Sequence, residues 1–379
     1  MAITDHSEHW SLIAPIPLSP LGERPLVSVL IASYNYAQFI EEAIDSVLGQ
    51  TYTDIEVIVC DDGSKDDSRA VIERCARRDA RVKAVFNRHQ GNVTTTNDAY
   101  EACCGEIICL LDADDWFRPT KVETISRHFF DHPESGLVVH PMTLIDVAGR
   151  EIHTIPFMNQ FEAGWIAERV IRRGGRWRYM PTSGLSLRRE LAELLLPVPE
   201  TAKTSDGFIY TLAPLLSPVS FVPEVLAAYR LHDASFSRRG RNADQARRAT
   251  AFRAAFVETV NQRLSALGRE TQRLDIRRNL EFIEQSLASS LFAATPRRGL
   301  LKEYADFVRA LAADDLYRNP QKQARIVIYG IALLLSTNMR SVWLTTALEP
   351  TRPKRHVRAF ISCLVDQQRE WKARRMANA

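Results

Sequence analysis

An α/β fold built on a mostly parallel central sheet, with a mainly helical C-terminal region, is what this sequence of 379 residues predicts. Three observations predict it. Short apolar runs alternate with segments of helical period over the first ~110 residues. A polar cluster ends each of those runs, and from about residue 240 the apolar residues recur at helical spacing. Alternation of strand and helix means parallel pairing through right-handed crossovers.

The elements follow in order. Residues 1–24 hold three prolines and no clear period, so they are expected to form an arm. Val27 to Ile31 is the first strand, and Phe39, Ile40, Ala43, Ile44, Val47 and Leu48 fall on one helical face. Ile55 to Cys60 is the second strand. A charged helix turning Val71, Ile72 and Cys75 inward follows it, and Val82 to Phe86 is the third strand. Gly91 to Cys104 reads as a helix. The run from Glu106 to Leu111 is then a fourth strand, continuous enough in Ile107, Ile108, Cys109, Leu110 and Leu111 to be buried on both faces. Residues 240–379 are largely helical, with Ala254, Val257, Val260 and Leu264 as an example of the spacing.

In sheets of this kind ligands bind beyond the carboxyl ends of the strands. The polar clusters sit there: Ser33-Tyr34-Asn35, Asp61-Asp62-Gly63-Ser64, Asn87-Arg88-His89 and Asp112-Ala113-Asp114-Asp115. Strand side chains alternate, so Asp112 and Asp114 share a face if extended geometry persists. Carboxylates this close raise one another's pKa, so solvent screens them or a cation completes the site. No G-x-G-x-x-G and no G-x-x-x-x-G-K-[ST] is present to cradle phosphate in backbone N–H groups. A hard divalent cation on Asp114 or Asp115, sharing phosphate oxygens, is the physical alternative.

Composition sets the remaining bounds. Apolar residues make up 45% of the chain, which suits globular cores, and the formal net charge is only +3. That gives no reason to expect a nucleic-acid partner. Cys60, Cys75, Cys103, Cys104, Cys109 and Cys363 lack metal-ligand spacing and read as reduced thiols, with Cys60 and Cys109 on buried strands. The N-terminus lacks a signal pattern, and no apolar stretch approaches the roughly 20 residues of a membrane span, so a cytoplasmic protein is expected. Ala324 to Arg340 is the most apolar stretch, and a basic tail from Arg352 to Arg375 follows it. Together they are compatible with a buried helix or with peripheral contact at the inner face of a membrane.

At this point the motifs resemble a known family. The run VSVLIASYNYAQFIEEAIDSVLGQTYTDIEVIVCDDGSKDDS, followed by GNVTTTNDAYEACCGEIICLLDADD, resembles family 2 glycosyltransferases, which have the GT-A fold. The resemblance covers about residues 25–236 and leaves 237–379 as a helical region with an acceptor, oligomer or membrane-surface role. It implies that Ala32 and Tyr34 hold the nucleotide base and that Asp62 hydrogen-bonds it. Asp112 and Asp114 match an Asp-X-Asp element that holds ribose and metal, with Asp115 as a further metal candidate. Asn97 is implied as a donor contact, although Thr96 stands where many relatives have Arg, and Ala32 where many have Pro. In MPTSGLSLRREL, Thr182, Ser183 and Gly184 resemble the turn under the donor sugar. Asp206, opening the helix of TSDGFIYTLA, matches the catalytic base. In PEVLAAYRLHDASFS, His232 is implied near the metal or diphosphate, with Arg230 beside it.

The activity so implied is inverting transfer of a sugar from a nucleoside diphosphate donor, UDP-sugar first, to an acceptor hydroxyl. It would use Mn²⁺ or Mg²⁺ and act in surface polysaccharide or glycoconjugate synthesis. Asp206 would take the hydroxyl proton as the acceptor attacks. Trp116, Trp165 and Trp177 are candidates to stack on a sugar ring or to pack. Two other classes compete. A sugar nucleotidyltransferase would bring a basic, glycine-rich element near its first strand, and none is seen. A non-catalytic nucleotide-sugar sensor or scaffold would bind donor without transfer.

Overall fold

The computed structural model describes residues 14–154, 161–178, 180–232, 243–293, 297–336, 339–340 and 343–344. The arm up to residue 13, the end of the Pro223–Ser237 segment, Cys363 and the basic tail lie outside the described residues.

The expected alternation opens the chain as β1 (Val27–Ser33), α1 (Ile40–Leu48), β2 (Ile55–Asp61), α2 (Ser68–Arg78), β3 (Val82–Phe86), α3 (Asn92–Glu101) and β4 (Ile107–Asp112). β1, β2 and β4 are buried nearly throughout because helices or further strands cover both faces. α1 turns Ile40, Ala43, Ile44 and Val47 inward at helical spacing, and full burial of each isoleucine or valine among them is worth about 1.5–3 kcal/mol. Both Cys60 and Cys109 are buried, as their strands require.

The middle of the chain adds β5 (Trp116–Phe117), α4 (Lys121–Asp131), β6 (Leu137–Val139), β7 (Met142–Ile145), β8 (Glu151–Thr154), α5 (Ala167–Arg172), β9 (Leu185–Arg188), α6 (Arg189–Leu195), α7 (Ser205–Leu216), β10 (Val219–Phe221) and β11 (Ala227–Arg230). The main sheet has the order β10-β6-β9-β4-β1-β2-β3, and only β9 runs antiparallel to its neighbours. Ala32 lies opposite Asp112, and Ser33 opposite Asp61, so three strand ends carrying polar groups stand side by side. A second sheet, β5-β11-β7-β8, begins just after Asp115 and brings β11 in parallel to β7 and antiparallel to β5.

The last helices are α8 (Ala243–Ala266), α9 (Leu280–Phe292), α10 (Arg297–Ala313) and α11 (Asn319–Leu334). The chain forms two compact units, Met1–Ser235 with Ala255–Asp275, and Phe236–Ala254 with Ile276–Ala379. The second half of α8 therefore packs with the sheet unit, which buries its Val257, Val260 and Leu264. The second unit has its own core of Leu287, Leu291, Leu300, Phe307, Tyr329 and Trp343. α11, the apolar stretch noted in the sequence, turns Tyr329 and Ala332 into that core. No helix among the described residues is long and apolar enough to cross a membrane.

Candidate active site

The carboxyl edge of the main sheet is held together by side chains acting on loop backbone. Asn35, in the left-handed region at φ 59°, accepts from the Lys65 N–H at 2.8 Å, and its own N–H donates to Ser64 Oγ at 2.8 Å. Ser64 also bonds Asp61. The Tyr36 N–H donates to Ser68 Oγ at 3.0 Å and the Ala37 N–H to Asp66 at 3.0 Å. The loops after β1 and β2 are thus one hydrogen-bonded body.

Tyr34, Asp62 and His89 meet on that body. The Tyr34 and His89 rings stack at 4.3 Å between centroids, with planes 23° apart. Asp62 accepts from the N–H groups of Gln90 at 2.7 Å and Gly91 at 2.9 Å, and its carboxylate is 2.9 Å from His89 Nδ1. An ionised carboxylate has about four lone-pair directions, so acceptor capacity remains. Gly63 allows the close approach: at φ 71° a Cβ there would lie 2.9 Å from the His89 nitrogen.

The carboxylate cluster lies one strand away. Asp112 ends β4, and its N–H donates to Ser183 Oγ at 3.0 Å. Burial, then the charges of Asp114 and Asp206, push the Asp112 carboxyl up to about 8. Asp115 is buried, with one oxygen accepting from Ser183 Oγ at 2.6 Å and the other from the Arg230 N–H at 2.9 Å. Burial first, then Asp112 and Asp114, hold its carboxyl well above the usual range. Asp114 Oδ2 is 2.7 Å from His232 Nε2, and the His232 ring packs against Phe39 and edge-on against Tyr36. Burial and these same carboxylates raise the Tyr36 phenol.

Two buried cations frame the cluster. The Arg230 guanidinium donates to the carbonyls of Asp114 at 2.8 Å and Val147 at 2.9 Å, pairs with Glu42, and lies 4.6 Å over the Phe39 ring. The Lys121 ammonium donates to the Ser183 carbonyl at 2.8 Å and sits 3.4 Å over the Phe117 ring. Burial lowers the Lys121 amine to about 7. The 3-10 turn Thr182–Gly184 is therefore gripped from both sides, by Lys121 through its backbone and by Asp115 through Ser183.

Asp206 lies in the first turn of α7. Burial raises its carboxyl, against the lowering effect of the Gly207 N–H and its own. The helix start is fixed to α3: Ser205 Oγ donates to Asn92 Oδ1 at 2.6 Å and lies 3.0 Å from Thr96 Oγ1. Thr96 thus has a structural partner at the place where many relatives carry Arg.

The structure brings Asp112, Asp114, Asp115, Thr182, Ser183, Asp206, Arg230 and His232 to one edge, with Ala32 in register beside Asp112. Asn97 is engaged elsewhere. Its amide donates to the Val198 carbonyl at 2.9 Å and accepts from the Val198 N–H at 2.7 Å. Trp177 is buried and donates to the Tyr210 carbonyl at 2.7 Å, which is a packing role. Arg230 donates to the loop carbonyls of Asp114 and Val147, and Asp115 accepts one hydrogen bond on each carboxylate oxygen. Sequence reasoning passed over Tyr36, Glu42 and Lys121. Lys121 had a signal, since it shares the i, i+4, i+8 stripe with Ile125 and Phe129, and a charge on such a stripe is buried beside a partner.

No group of three or more His, Cys, Asp or Glu side chains among the described residues is placed to hold a metal ion by itself. The donor set nonetheless fits a divalent cation. Asp114 and His232 supply a hard oxygen and an imidazole nitrogen, Asp112 is destabilised by uncompensated neighbours, and a diphosphate would complete the coordination.

The family model described as glycosyl transferase family 2 matches residues 28–195. An uncharacterised glycosyltransferase of Nostoc sp. is 32% identical over 261 residues, which is 68% of this chain and 80% of that protein. A chondroitin synthase of Escherichia coli is 38% identical over 114 residues, 30% of this chain and 17% of that one. The E. coli UDP-Glc:alpha-D-GlcNAc-diphosphoundecaprenol beta-1,3-glucosyltransferase WfaP is 36% identical over 107 residues, 28% of this chain and 41% of that one. Among solved structures, residues 1–349 of S. aureus TarS match with a TM-score of 0.50 at 18% identity, covering 83% of this chain and 90% of that one. That likeness bears on the fold alone.

Proposed function

The chain belongs to glycosyl transferase family 2, and from that premise we propose that it moves a sugar, with inversion at the anomeric carbon, from a UDP-sugar to a hydroxyl of a saccharide or glycoconjugate acceptor. The observation that carries this reading is the meeting of three carboxylates, Asp112, Asp114 and Asp206, beyond the ends of parallel strands. The partial match to WfaP, whose name specifies a UDP-glucose donor, supports the choice of nucleotide.

Each residue then has a task. Tyr34 presents a ring face to the base, with Asp62 beside it as the acceptor for a ring N–H. Asp112 accepts from ribose hydroxyls, and the Thr182–Gly184 turn supports the sugar. Asp206 receives the proton of the acceptor hydroxyl as that oxygen attacks the anomeric carbon and the bond to the diphosphate breaks. Burial strengthens Asp206 as a base, and general-base assistance is worth roughly 10²–10⁴-fold. A divalent cation on Asp114 and His232, Mn²⁺ or Mg²⁺, would neutralise charge on the departing diphosphate.

The test is Asp206→Asn. Transfer from UDP-sugar to an acceptor panel should fall by at least about 10²-fold while UDP still stabilises the variant as it does the parent. Undiminished transfer would remove Asp206 from the base role, and stabilisation by no nucleoside diphosphate, with or without Mn²⁺, would remove the donor site.

A further inference from the structure

His89, in the loop after β3, occupies both groups assigned to the nucleotide base. Its ring stacks on Tyr34 at 4.3 Å between centroids. Its Nδ1, which must carry hydrogen to face a carboxylate, lies 2.9 Å from Asp62 Oδ2. Those are the two contacts that a uracil would make here, a planar ring on the tyrosine face and a ring N–H on the Asp62 carboxylate. Asp62 has little else to offer. Its Oδ1 accepts from the Gln90 N–H and its Oδ2 from the Gly91 N–H, and its side chain is only 5% exposed. A base N–H therefore reaches this carboxylate only after one of the three donors leaves.

Attachment decides which donor that is. Gln90 and Gly91 donate from the backbone, and two residues before His89 the Asn87 N–H donates to the Asp61 carbonyl at 2.8 Å. The backbone is thus held on both sides of His89, whereas its side chain is 58% exposed and leaves by rotation about its own bonds. Exposed side chains change rotamer in picoseconds to nanoseconds, far faster than a nucleotide binds. Once His89 has turned away, Asp62 keeps its two backbone donors and stays aimed, with one oxygen ready for a new N–H. We propose that His89 is an internal stand-in for the base: it covers the base subsite until a donor arrives, and the nucleotide binds only the fraction of molecules in which the imidazole has swung out. The proposal rests on Tyr34 and Asp62 forming the base subsite. Its consequence is a weakened donor affinity, because the apparent Kd equals the intrinsic one divided by the open fraction.

The experiment is titration of the full chain and of His89→Ala with UDP in the presence of Mn²⁺, by calorimetry for Kd and by stopped flow for the two rate constants. His89→Ala should bind UDP about 10-fold tighter, the inverse of an open fraction of about 10%. The gain should lie in association, with dissociation unchanged, because the imidazole is already away from the base when UDP is bound. Equal or weaker binding by a variant that melts like the parent overturns the proposal, since His89 is then a bystander or a contact to the base. If His89→Ala melts lower, the parent decides. The Hε1 resonance of His89, identified by its absence from the spectrum of the variant, should move downfield at saturating UDP as it loses the shielding of the Tyr34 ring. A resonance that stays or moves upfield overturns the proposal. UDP bound by neither protein removes the base subsite and the stand-in with it, whereas UDP bound by both without the gain removes the stand-in alone.

Discussion

Lys121 stands on the buried face of α4 with Val122, Ile125 and Phe129, and its ammonium donates to a carbonyl, lies over a ring face and feels Cys109 and Asp115 nearby. Burial holds the amine at about 7 in the folded chain against 10.5 when unfolded. Between those values the unfolded state binds more protons, so the contribution of this residue to stability rises with pH. The stability of the parent relative to Lys121→Met should therefore improve by about 1–2 kcal/mol on going from about pH 7 to about pH 9, read by urea denaturation. A difference flat with pH would mean that Asp115 keeps the ammonium charged throughout. The one sequence signal for such a residue is its place on a helical stripe with Ile125 and Phe129, where it reads as a flaw in the apolar pattern. The carboxylates of Asp112, Asp114 and Asp115 were legible for the opposite reason. They end an apolar strand, where neither packing nor capping explains three acids in four positions.

Among the elements, the strands that could be read are those long enough to show a pattern. β1, β2 and β4 have six or seven residues, and their apolar runs gave the alternation directly. β5 has two residues and β11 four, too few for any period to register, so the second sheet stayed hidden although its partners frame the site. α3 shows how a site motif can carry a structural load. Asn97 spans from that helix to both polar groups of the Val198 backbone, holding the segment that leads from α6 into the turn before α7. Replacing it with Leu strands the Val198 N–H and carbonyl. Asn97→Leu should cost about 2 kcal/mol in stability and leave UDP affinity within about 2-fold of the parent. Unchanged melting with lost UDP binding would instead place Asn97 at the donor, where the family resemblance puts it.

At the level of the whole molecule, the boundary between the two units falls inside α8, at Ala254 and Ala255. Nothing marks it in the sequence, since Ala254, Val257, Val260 and Leu264 keep one helical spacing across it. What distinguishes the two halves is their partners. Beyond the boundary Val260 and Leu264 are fully buried, Thr259 bonds Thr201 at 3.0 Å, and the Asn261 amide donates to the Leu274 carbonyl at 3.0 Å. Arg263 donates to the Leu194 carbonyl at 2.9 Å, and the buried Gln272 reaches the Leu215 carbonyl. A chain ending at residue 236 would lose all of these and expose the apolar surface they cover. Each fully buried aliphatic side chain is worth about 1.5–3 kcal/mol, so four such residues equal the whole net stability of an ordinary domain, about 5–15 kcal/mol. A chain ending at residue 275 keeps them and loses only residues 276–379 of the second unit. The expected result is that the 275-residue chain stays soluble, melts cooperatively and is stabilised by UDP, whereas the 236-residue chain aggregates or melts without cooperativity. Equal behaviour of the two would show that residues 255–275 contribute little to the sheet unit, and that the site-bearing fold is complete by residue 236.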